Sequence, residues 1–407
     1  MTEAYIVATA RSPIGRARKG SLTGIRADDL TAQMVSAAVA KTPGLDPDRI
    51  DDLLLGCGMP GGEQGMNMAR IVAVMLGWDS VPGTTITRYC ASSLQTTRMA
   101  FHAIKAGEGD VFVSAGVESV SRFDRGSADY IPGEDVTNPA FADAAARTER
   151  RAGGGASVWT DPREDALLPD AYIAMGQTAE NVAALRGVTR EEQDAFAARS
   201  QQRAEAAIAA GFWAGDITPV TLPDGTKVAA DDGPRPGTTV EKLAALDPVF
   251  RPDGTVTAGN ACPLNDGAAA VVVASGRAVS ELGLEPVARI VSTGVSALSP
   301  EIMGLGPVEA SRRALALAGL GIEDMDLVEI NEAFAAQVIP SARELGVDED
   351  RLNVKGGAIA VGHPFGMTGA RITSTLLNAL ADTGGRYGLE TMCVGGGQGM
   401  AMVVERL

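Results

Sequence analysis

The whole chain contains two histidines, His102 and His363, so any mechanism that uses an imidazole must use one of them. His363 lies in a glycine-dense stretch, 356–366 (GGAIAVGHPFG), which precedes a helical pattern. Glycines let the backbone approach a ligand closely, and histidine changes charge near neutral pH. His363 is therefore the candidate acid or base. His102 follows Cys90 along what reads as one helix, roughly 18 Å further on, and is predicted to be a packed or surface histidine.

Cys90 is the candidate nucleophile. It follows a strand-like run, 84–87, and precedes a helical stretch, 92–104, which predicts a sulfur at a helix N-terminus. That position lowers a thiol pKa and favours the nucleophilic thiolate. The alternative is a buried structural cysteine, the commoner fate of this residue type, and position alone does not separate the two.

Cys393 ends another strand-like run, and Gly395 to Gly397 follow it. These glycines expose backbone N–H groups beside the sulfur, and such donors can hold an oxyanion. A dinucleotide-binding interpretation of the cluster is rejected, because the sequence ends eight residues after Gly399 and leaves no room for the βαβ unit that the fingerprint requires.

The elements that must position these groups alternate between short β-branched runs and helical patterns such as 28–40 and 92–106, which is typical of α/β layers. The order of elements then recurs, which predicts two similar halves. The corresponding segments are 288–291 with the first strand, 325–328 with 50–53, and 353–381 with 84–106.

An insertion separates the halves. It begins with a polar segment of little periodicity, 122–170, and continues as a long amphipathic helical pattern from Arg190 to Ala210. A lid or a binding domain would suit this segment. The predicted division is an N-terminal half of residues 1–120 plus 265–286, an inserted loop domain of residues 121–264, and a C-terminal half of residues 287–407.

Composition excludes several classes of protein. The net charge of -16 and the aromatic content of 4% disfavour nucleic acid as a partner, although local cations can still hold a small anionic ligand. The four cysteines form no CxxC pair, so no metal site is predicted and a reduced, cytoplasmic protein is expected. No apolar stretch approaches the ~20 residues of a membrane helix, and no signal peptide is evident.

Six ordered motifs, which together cover nearly the whole chain, resemble the signatures of the thiolases. These CoA-dependent acyltransferases cleave 3-ketoacyl-CoA by thiolysis or run the reverse Claisen condensation. The motifs are 87–95 (TRYCASSLQ), 175–181 (MGQTAEN), 254–261 (GTVTAGNA), 331–334 (NEAF), 356–366 (GGAIAVGHPFG) and 393–397 (CVGGG). The resemblance implies a five-layered αβαβα core from two similar halves, a covering loop domain, and a homodimer or homotetramer.

The resemblance also implies catalytic roles. Cys90 would carry the acyl group as a thioester, and His363 would accept its proton. Cys393 would move the proton of the acetyl α-carbon. Asn331 would fix a water that, with His363, stabilises the first oxyanion, and the backbone N–H groups of Cys90 and Gly395 would stabilise the second. The acyl thioester on Cys90 would divide one difficult acyl transfer into two easier steps.

Substrate-binding residues are implied in the same way. Arg235 lies where the family places an arginine on the CoA phosphates, and Cys262 replaces a serine that lines the pantetheine channel. Met175 and Ala261 complete the predicted binding set. CoA and acetyl-CoA would be substrates, with no permanently bound cofactor.

The chain departs from the family pattern at a few positions. Ser93 replaces a glycine, and Cys262-Pro263 replaces Ser-Gly, which should alter packing and not chemistry. Ala174 stands where thiolases specialised for acetoacetyl-CoA carry histidine, which favours the degradative type that acts on 3-ketoacyl-CoA in fatty acid β-oxidation. The segment 122–170 is longer than is common.

Three alternatives stay open. One is a biosynthetic acetyl-CoA acetyltransferase specific for acetoacetyl-CoA. Another is a ketosynthase of the same fold, which needs a second histidine that this chain cannot place. The third is a CoA- or lipid-binding protein without activity, since fold alone does not guarantee catalysis. The sequence leaves the acyl chain length, the physiological direction and the choice of dimer or tetramer undetermined.

Overall fold

The computed structural model describes residues 2–125, 137–155 and 158–407. The strands are β1 (Ala4–Arg11), β2 (Gly15–Arg16), β3 (Asp52–Cys57), β4 (Gly83–Ile86), β5 (Val111–Ser119), β6 (Val220–Thr221), β7 (Lys227–Val228), β8 (Asn265–Ser275), β9 (Ala288–Ala297), β10 (Leu327–Ile330), β11 (Tyr387–Val394) and β12 (Gln398–Arg406). The helices are α1 (Ala27–Ala40), α2 (Met68–Met75), α3 (Ser92–Ala106), α4 (Ala142–Ala152), α5 (Met175–Arg186), α6 (Arg190–Ala209), α7 (Phe212–Asp216), α8 (Val240–Ala244), α9 (Gly276–Leu282), α10 (Gly306–Ala318), α11 (Ala335–Leu345), α12 (Ala358–Val361) and α13 (Thr368–Thr383).

Two sheets with the same strand order form the core. The order is β1-β8-β5-β3-β4 in the N-terminal half and β9-β12-β11-β10 in the C-terminal half, with β2 beside β8. Among the described residues, the sheets join where Tyr5 and Ile6 of β1 pair with Arg289 and Ala288 of β9. The pairings also correspond, since β3 and β5 are parallel as are β10 and β11. The prediction of two similar halves is confirmed.

The repeat is incomplete at one edge. The N-terminal sheet ends in β4, whereas its counterpart in the C-terminal half is reduced to a single bridge between Val328 and Leu352. The strand expected at the start of 353–381 is therefore nearly absent, although the helix that follows, α13, corresponds to α3 as predicted.

Buried side chains divide into three clusters that define five layers. One cluster packs α1 and α2 on the N-terminal sheet, another packs α10 and α11 on the C-terminal sheet, and the third encloses α3 and α13 between the sheets. Strand β8 is buried on both faces, which places helices on both sides of its sheet. Val271 and Val273 face the central helices, and Ala270 and Val272 face the outer ones. The expected αβαβα core is confirmed.

The central helices α3 and α13 approach each other closely. A Cβ atom at Gly369 would collide with the backbone of Leu94, so only glycine fits there. Beside this contact the buried Ser93 Oγ accepts a hydrogen bond of 2.9 Å from Ala370 N. The serine that replaces the family's glycine therefore fastens the two halves together.

The inserted segment contains helices α4 to α8. Helix α6 begins at a capping box in which Thr189 and Glu192 satisfy each other's backbone N–H groups, and it covers the predicted helical pattern. Helix α4 was not expected, because its sequence is polar on average and its apolar residues are all alanines, of which only Ala144 is buried. Residues 126–136 and 156–157 of the segment 122–170 lie outside the described residues. The predicted domain boundaries stay predictions.

Within the described ranges, no helix is both long and apolar enough to cross a membrane.

A buried ionic network ties the inserted segment to both halves. Arg11, at the end of β1, is completely buried and donates to Asp216 at 2.8 Å and to Asp231 at 2.6 Å. Asp216 also accepts hydrogen bonds from Ser374 Oγ at 2.8 Å and Asn378 Nδ2 at 2.7 Å, both on α13. Removal of Arg11 would leave Asp216 and Asp231 without the guanidinium group that is hydrogen-bonded to both of them.

We therefore expect Arg11→Ala to lower the free energy of unfolding by about 3–5 kcal/mol, the usual cost of breaking a buried ion pair. Urea unfolding followed by circular dichroism measures this. The matched control is Arg313→Ala, which removes the exposed pair of Arg313 with Glu309 and should cost less than about 1 kcal/mol. Equal losses of unfolding free energy in both variants would show that the buried network stabilises the fold no more than an exposed ion pair does.

Candidate active site

Cys90 lies in a tight turn between β4 and α3. The turn is a 3₁₀ segment, Tyr89–Ala91, and Tyr89 adopts a left-handed φ of 45°, which is unusual for a bulky residue. Ser92 Oγ holds the turn, because it accepts a hydrogen bond of 2.9 Å from Arg88 N and donates one of 2.7 Å to Tyr89 O. A strained backbone of this kind is typical of functional turns. The Cys90 thiol is buried at the start of α3.

His363 is held in one orientation by its own loop. Its Nδ1 lies 2.6 Å from Thr368 Oγ1, whose single proton is donated to Pro364 O at 2.8 Å. Nδ1 must therefore be the protonated nitrogen, and Nε2 carries the lone pair that can accept a proton. The backbone N–H of His363 donates to Asn265 Oδ1 at 2.9 Å, which anchors the loop on β8.

Asn331 follows β10 and reaches the same imidazole. Its Nδ2 lies 3.3 Å from His363 Nε2. Gln337 Nε2 donates to the Asn331 carbonyl at 2.7 Å and holds the backbone in place. Within the described chain, Asn331 Oδ1 is buried without a hydrogen-bond partner, so it can accept a hydrogen bond from a water or a substrate.

Cys393 is the last residue but one of β11 and brings a second thiol to Cys90. The turn that follows uses left-handed glycines, with φ of 77° at Gly397, and directs the Gly395 N–H toward the Cys90 sulfur. Burial raises the pKa of Cys393 well above its usual range, and the neighbouring Cys90 and Cys262 raise it further. Cys393 is therefore a neutral thiol that can donate a proton.

Burial also dominates the pKa of the nucleophile. It raises the pKa of Cys90 to about 12, and the N–H groups of Gly395 and Cys90 itself only partly oppose it. Burial lowers the pKa of His363 to about 3, and the charge of Arg371 acts in the same direction. The expectation of a lowered thiol pKa is therefore wrong for this structure, because lost hydration outweighs the helix terminus. The resting pair is a neutral thiol and a neutral imidazole.

The sequence offered no role for Glu118, which joins the loops around these groups. This fully buried carboxylate accepts hydrogen bonds from Gly58 N at 2.8 Å, Met59 N at 3.2 Å and Gly366 N at 2.9 Å. Burial raises the pKa of Glu118 to about 7, although these hydrogen bonds lower it. One acidic residue in the apolar run of β5 was the available signal.

A cavity of about 280 Å³ contains part of the predicted binding set. Arg235 and Ala261 line it, together with Lys242, a cation that sequence reasoning missed. Cys262 lies next to the cavity, and its N–H donates to Ala333 O at 3.0 Å, two residues after Asn331. Met175 does not line this cavity and instead begins α5. His102 is exposed near the end of α3, in agreement with its predicted surface role.

The fold and the site match a known class of protein. The model of the family described as "Thiolase, N-terminal domain" matches residues 4–277, and that of "Thiolase, C-terminal domain" matches residues 284–406. The chain is 44% identical over 414 residues to the beta-ketoadipyl-CoA thiolase of Escherichia coli, and 42% identical over 419 residues to the 3-ketoacyl-CoA thiolase of Bacillus subtilis. Each match covers 100% of both chains.

Solved structures agree. Human mitochondrial 3-ketoacyl-CoA thiolase in complex with CoA is 37% identical with a TM-score of 0.84, and the match covers 100% of this chain and 98% of that one. The dimeric peroxisomal thiolase of Saccharomyces cerevisiae is 33% identical with a TM-score of 0.87, over 100% and 97%. The fold is that of an acyl-transferring enzyme. The chain belongs to the thiolase family.

The hydrogen bond from His363 to Thr368 yields a prediction. Thr368→Val removes the acceptor for Nδ1–H while keeping the side-chain shape, so the imidazole loses its fixed tautomer. We expect kcat for thiolysis to fall roughly tenfold to a hundredfold, as when a supporting partner of a catalytic group is removed. Thr368→Ser should restore the rate.

A direct readout is ¹⁵N NMR of the histidine rings, which is simple because only His363 and His102 contribute. In the wild type, Nδ1 of His363 should carry the proton, and in Thr368→Val the two tautomers should mix while His102 stays unchanged. A full rate with an unchanged tautomer in Thr368→Val would contradict the assignment.

Proposed function

We propose that this enzyme catalyses CoA-dependent thiolysis of 3-ketoacyl-CoA through an acyl thioester on Cys90, and the reverse Claisen condensation. The observation that carries the proposal is the meeting of two buried thiols, Cys90 and Cys393, with the Gly395 N–H directed at the first sulfur. The names of the two thiolase relatives, each of which acts on a 3-ketoacyl-CoA, support it. CoA and acetyl-CoA enter as substrates, with Arg235 and Lys242 facing the CoA phosphates.

In the first half-reaction, Cys90 transfers its proton to Nε2 of His363 and attacks the C3 carbonyl of the substrate. Cys90 and His363 are both neutral at rest. The proton transfer therefore accompanies the attack of the Cys90 sulfur on the substrate carbonyl. His363 and a water held by Asn331 stabilise one thioester oxyanion. The C2–C3 bond then breaks, its electron pair remains on C2, and Cys393 protonates this carbon to release acetyl-CoA.

The second half-reaction transfers the acyl group to a new CoA. The Cys393 thiolate takes the proton of the incoming CoA thiol, whose sulfur attacks the acyl carbon. The N–H groups of Cys90 and Gly395 stabilise the oxyanion that forms. Cys90 leaves as a thiolate and regains its proton from His363, so the enzyme returns to its starting state.

We propose that the acyl groups extend beyond acetoacetyl. Ala174 is small where an acetoacetyl-specific enzyme carries histidine, which leaves more room beside Met175. The assignment to fatty acid β-oxidation stays a prediction, because the relatives include enzymes named for beta-ketoadipyl-CoA as well as 3-ketoacyl-CoA.

The test is the CoA-dependent loss of enolate absorbance of 3-ketoacyl-CoA substrates, from acetoacetyl to long chain. We expect turnover beyond four carbons, and a fall in kcat of more than about 10³-fold in Cys90→Ala, as for loss of a nucleophile. Unchanged CoA binding and unchanged circular dichroism would serve as controls. Turnover of acetoacetyl-CoA alone would favour the biosynthetic type, and CoA binding without any turnover would favour the inactive binding protein.

We propose a homodimer built on the edge strand β4. In the part of the chain that the structure describes, this strand pairs only with β3, and an open strand edge readily pairs with a second copy. Exposed apolar side chains surround it, among them Ile71, Val74 and Met75 of α2, which are 39%, 51% and 46% exposed. The dimeric Saccharomyces cerevisiae thiolase supports the same state.

Val74→Asp should therefore weaken self-association at least about tenfold, because it places a charge in an apolar contact. Light scattering coupled to size exclusion over a range of concentrations measures it. The control is Leu317→Asp, on α10 and 74% exposed, which should leave the dimer intact. A wild type that is monomeric at all concentrations would refute the proposal.

A further inference from the structure

Glu118 lies where β3 and β5 end side by side. The two strands are parallel, and Cys57 of β3 pairs with Val117 of β5. The chain therefore leaves β3 directly beside the Glu118 carboxylate, which accepts hydrogen bonds from Gly58 N at 2.8 Å and Met59 N at 3.2 Å. The Glu118 side chain is completely buried. It fixes the beginning of the loop that follows β3.

The loop after β3 holds the chain just before the nucleophile. Thr87 Oγ1 donates a hydrogen bond to Gly58 O at 2.9 Å and accepts one from Tyr89 N at 3.3 Å. Tyr89 is the strained residue that precedes Cys90. A displacement of Gly58 would therefore reach residues 89–91, which carry the nucleophile and which we call the Cys90 turn.

The same carboxylate holds the loop that carries His363, residues 362–367, which we call the His363 loop. Gly366 N donates to Oε2 of the carboxylate at 2.9 Å. A Cβ atom at Gly366 would lie 2.1 Å from Val117 O, so only glycine lets this loop pack directly on β5. The ring of Phe365, next to Gly366, lies 5.3 Å from that of His363. One buried side chain thus fixes both the His363 loop and the Cys90 turn.

The acceptor positions of Glu118 are filled by these loops. Oε2 accepts from both Gly58 N and Gly366 N, and Oε1 accepts from Met59 N and from Cys57 Sγ at 3.9 Å. A carboxylate offers about four lone-pair sites, so these donors leave none to take a proton from a substrate. The group therefore acts by holding the two loops.

Glu118 changes charge near neutral pH, since burial raises its pKa to about 7. The other titratable or charged groups on the elements around it are Cys57 of β3, Glu63 after β3, Cys90, Arg122 after β5, Asp266 of β8, His363 and Arg371 of α13. Burial raises the pKa of both thiols and lowers that of the imidazole to about 3, so these three groups stay neutral. Glu63 pairs with Arg122 at 2.6 Å, and Asp266 accepts from Ser121 N at 2.8 Å.

Ionisation of Glu118 strengthens its hold on the loops. Hydrogen bonds to a charged acceptor are roughly twice as strong as those to a neutral one. The negative charge also raises the pKa of Cys90, but this influence ranks below burial and the Gly395 N–H. The direct contacts to Gly58 N and Gly366 N therefore dominate, and protonation of the carboxylate should loosen both loops.

We propose that Glu118 is a positioning residue for thiolysis, and that its ionised form keeps the Cys90 turn and the His363 loop in the geometry that proton transfer requires. Protonation of this one carboxylate then slows catalysis. The inference rests on the proposed thiolysis at Cys90 and adds a residue and a pH dependence to it. A displacement of about 1 Å between reacting groups can cost on the order of 10²-fold in rate.

The experiment compares the wild type with Glu118→Gln between about pH 6 and pH 9, using the 3-ketoacyl-CoA that the wild type cleaves fastest. Acetyl-CoA is quantified by chromatography, because the enolate absorbance itself changes with pH. Glutamine keeps the shape and one acceptor oxygen of the side chain but lacks the charge. At about pH 8 we expect kcat of the variant to be lower by about tenfold to a hundredfold, with KM unchanged.

The pH dependence is the readout that a purely structural role would not change. The ratio of the wild-type kcat to the Glu118→Gln kcat should fall as the pH is lowered through about 7. The reason is that the wild type then loses the charge that the variant lacks at every pH. Effects of pH on the substrates are common to both enzymes and cancel in this ratio.

The matched control is Glu180→Gln. Glu180 is also buried, and its Oε1 accepts from Thr255 N at 3.0 Å and Val256 N at 2.9 Å, in a segment that contains none of the catalytic residues. Its kcat and pH dependence should equal those of the wild type. Thermal unfolding followed by circular dichroism, applied to each variant, separates lost stability from lost positioning.

Thr87→Val is the second variant and decides the matter if Glu118→Gln does not fold. It removes the hydrogen bond from Thr87 to Gly58 O, between the loop after β3 and the Cys90 turn, and leaves Glu118 intact. We expect kcat to fall roughly tenfold, as for the loss of one hydrogen bond, while the pH dependence near neutrality remains. An unchanged kcat in Thr87→Val would overturn the link between Glu118 and the nucleophile.

The remaining outcomes separate the inference from the proposed function. A wild type that cleaves no 3-ketoacyl-CoA would overturn the proposed function itself. Turnover with equal kcat in the wild type and Glu118→Gln would overturn the inference and leave thiolysis intact. A dependence near neutral pH that persists in Glu118→Gln would belong to another group, such as Asp266. A wild-type rate that rises on protonation would show that Glu118 acts through its charge on Cys90, and the positioning role would be wrong.

Discussion

The close contact between α3 and α13 is the constraint on which the rest of the structure depends. These helices come from different halves of the chain, and they meet where Gly369 leaves room for the backbone of Leu94. Cys90 lies in the turn before α3, and His363 lies in the loop before α13. Packing the two helix starts together therefore brings the nucleophile and its base to one place. The duplicated fold supplies two equivalent turns, and the site uses one residue from each.

Burial around that contact determines how the site works. A thiol and an imidazole shielded from water both favour their neutral forms, so the site rests without charge. Proton transfer within the pair conserves the net charge, which makes it less costly in a water-poor site than the ionisation of either group alone. Fixed donors such as the Gly395 N–H then act where charge develops during the reaction, and they need no reorganisation. Asn265, Thr368 and Glu118 hold the loops that place these groups.

The inserted segment adds local positive charge to an acidic protein. The chain as a whole carries a net charge of -16, yet two cavities of this segment are lined by cations, one by Arg235 and Lys242 and the other by Arg147, Arg150, Arg151 and Arg251. Net charge governs solubility and long-range encounter, whereas a ligand is held by the few charges within contact distance. Arg11, paired with Asp216 and Asp231, anchors this segment on the central layer, so the cavities keep a fixed position relative to the catalytic loops.

The sequence by itself determined the two similar halves, the helix from Arg190, and the identity of the candidate groups Cys90, His363, Asn331 and Cys393, because periodicity, capping and short motifs are local properties of the chain. Helix α4 escaped prediction because its sequence is polar on average and its apolar face consists of alanines, which give a weak local signal. The direction of the Cys90 pKa, the tautomer set by Thr368 and the hydrogen bonds of Glu118 were decided only by the tertiary structure. Each depends on burial or on contacts between segments distant in sequence, and these arise only when the layers pack.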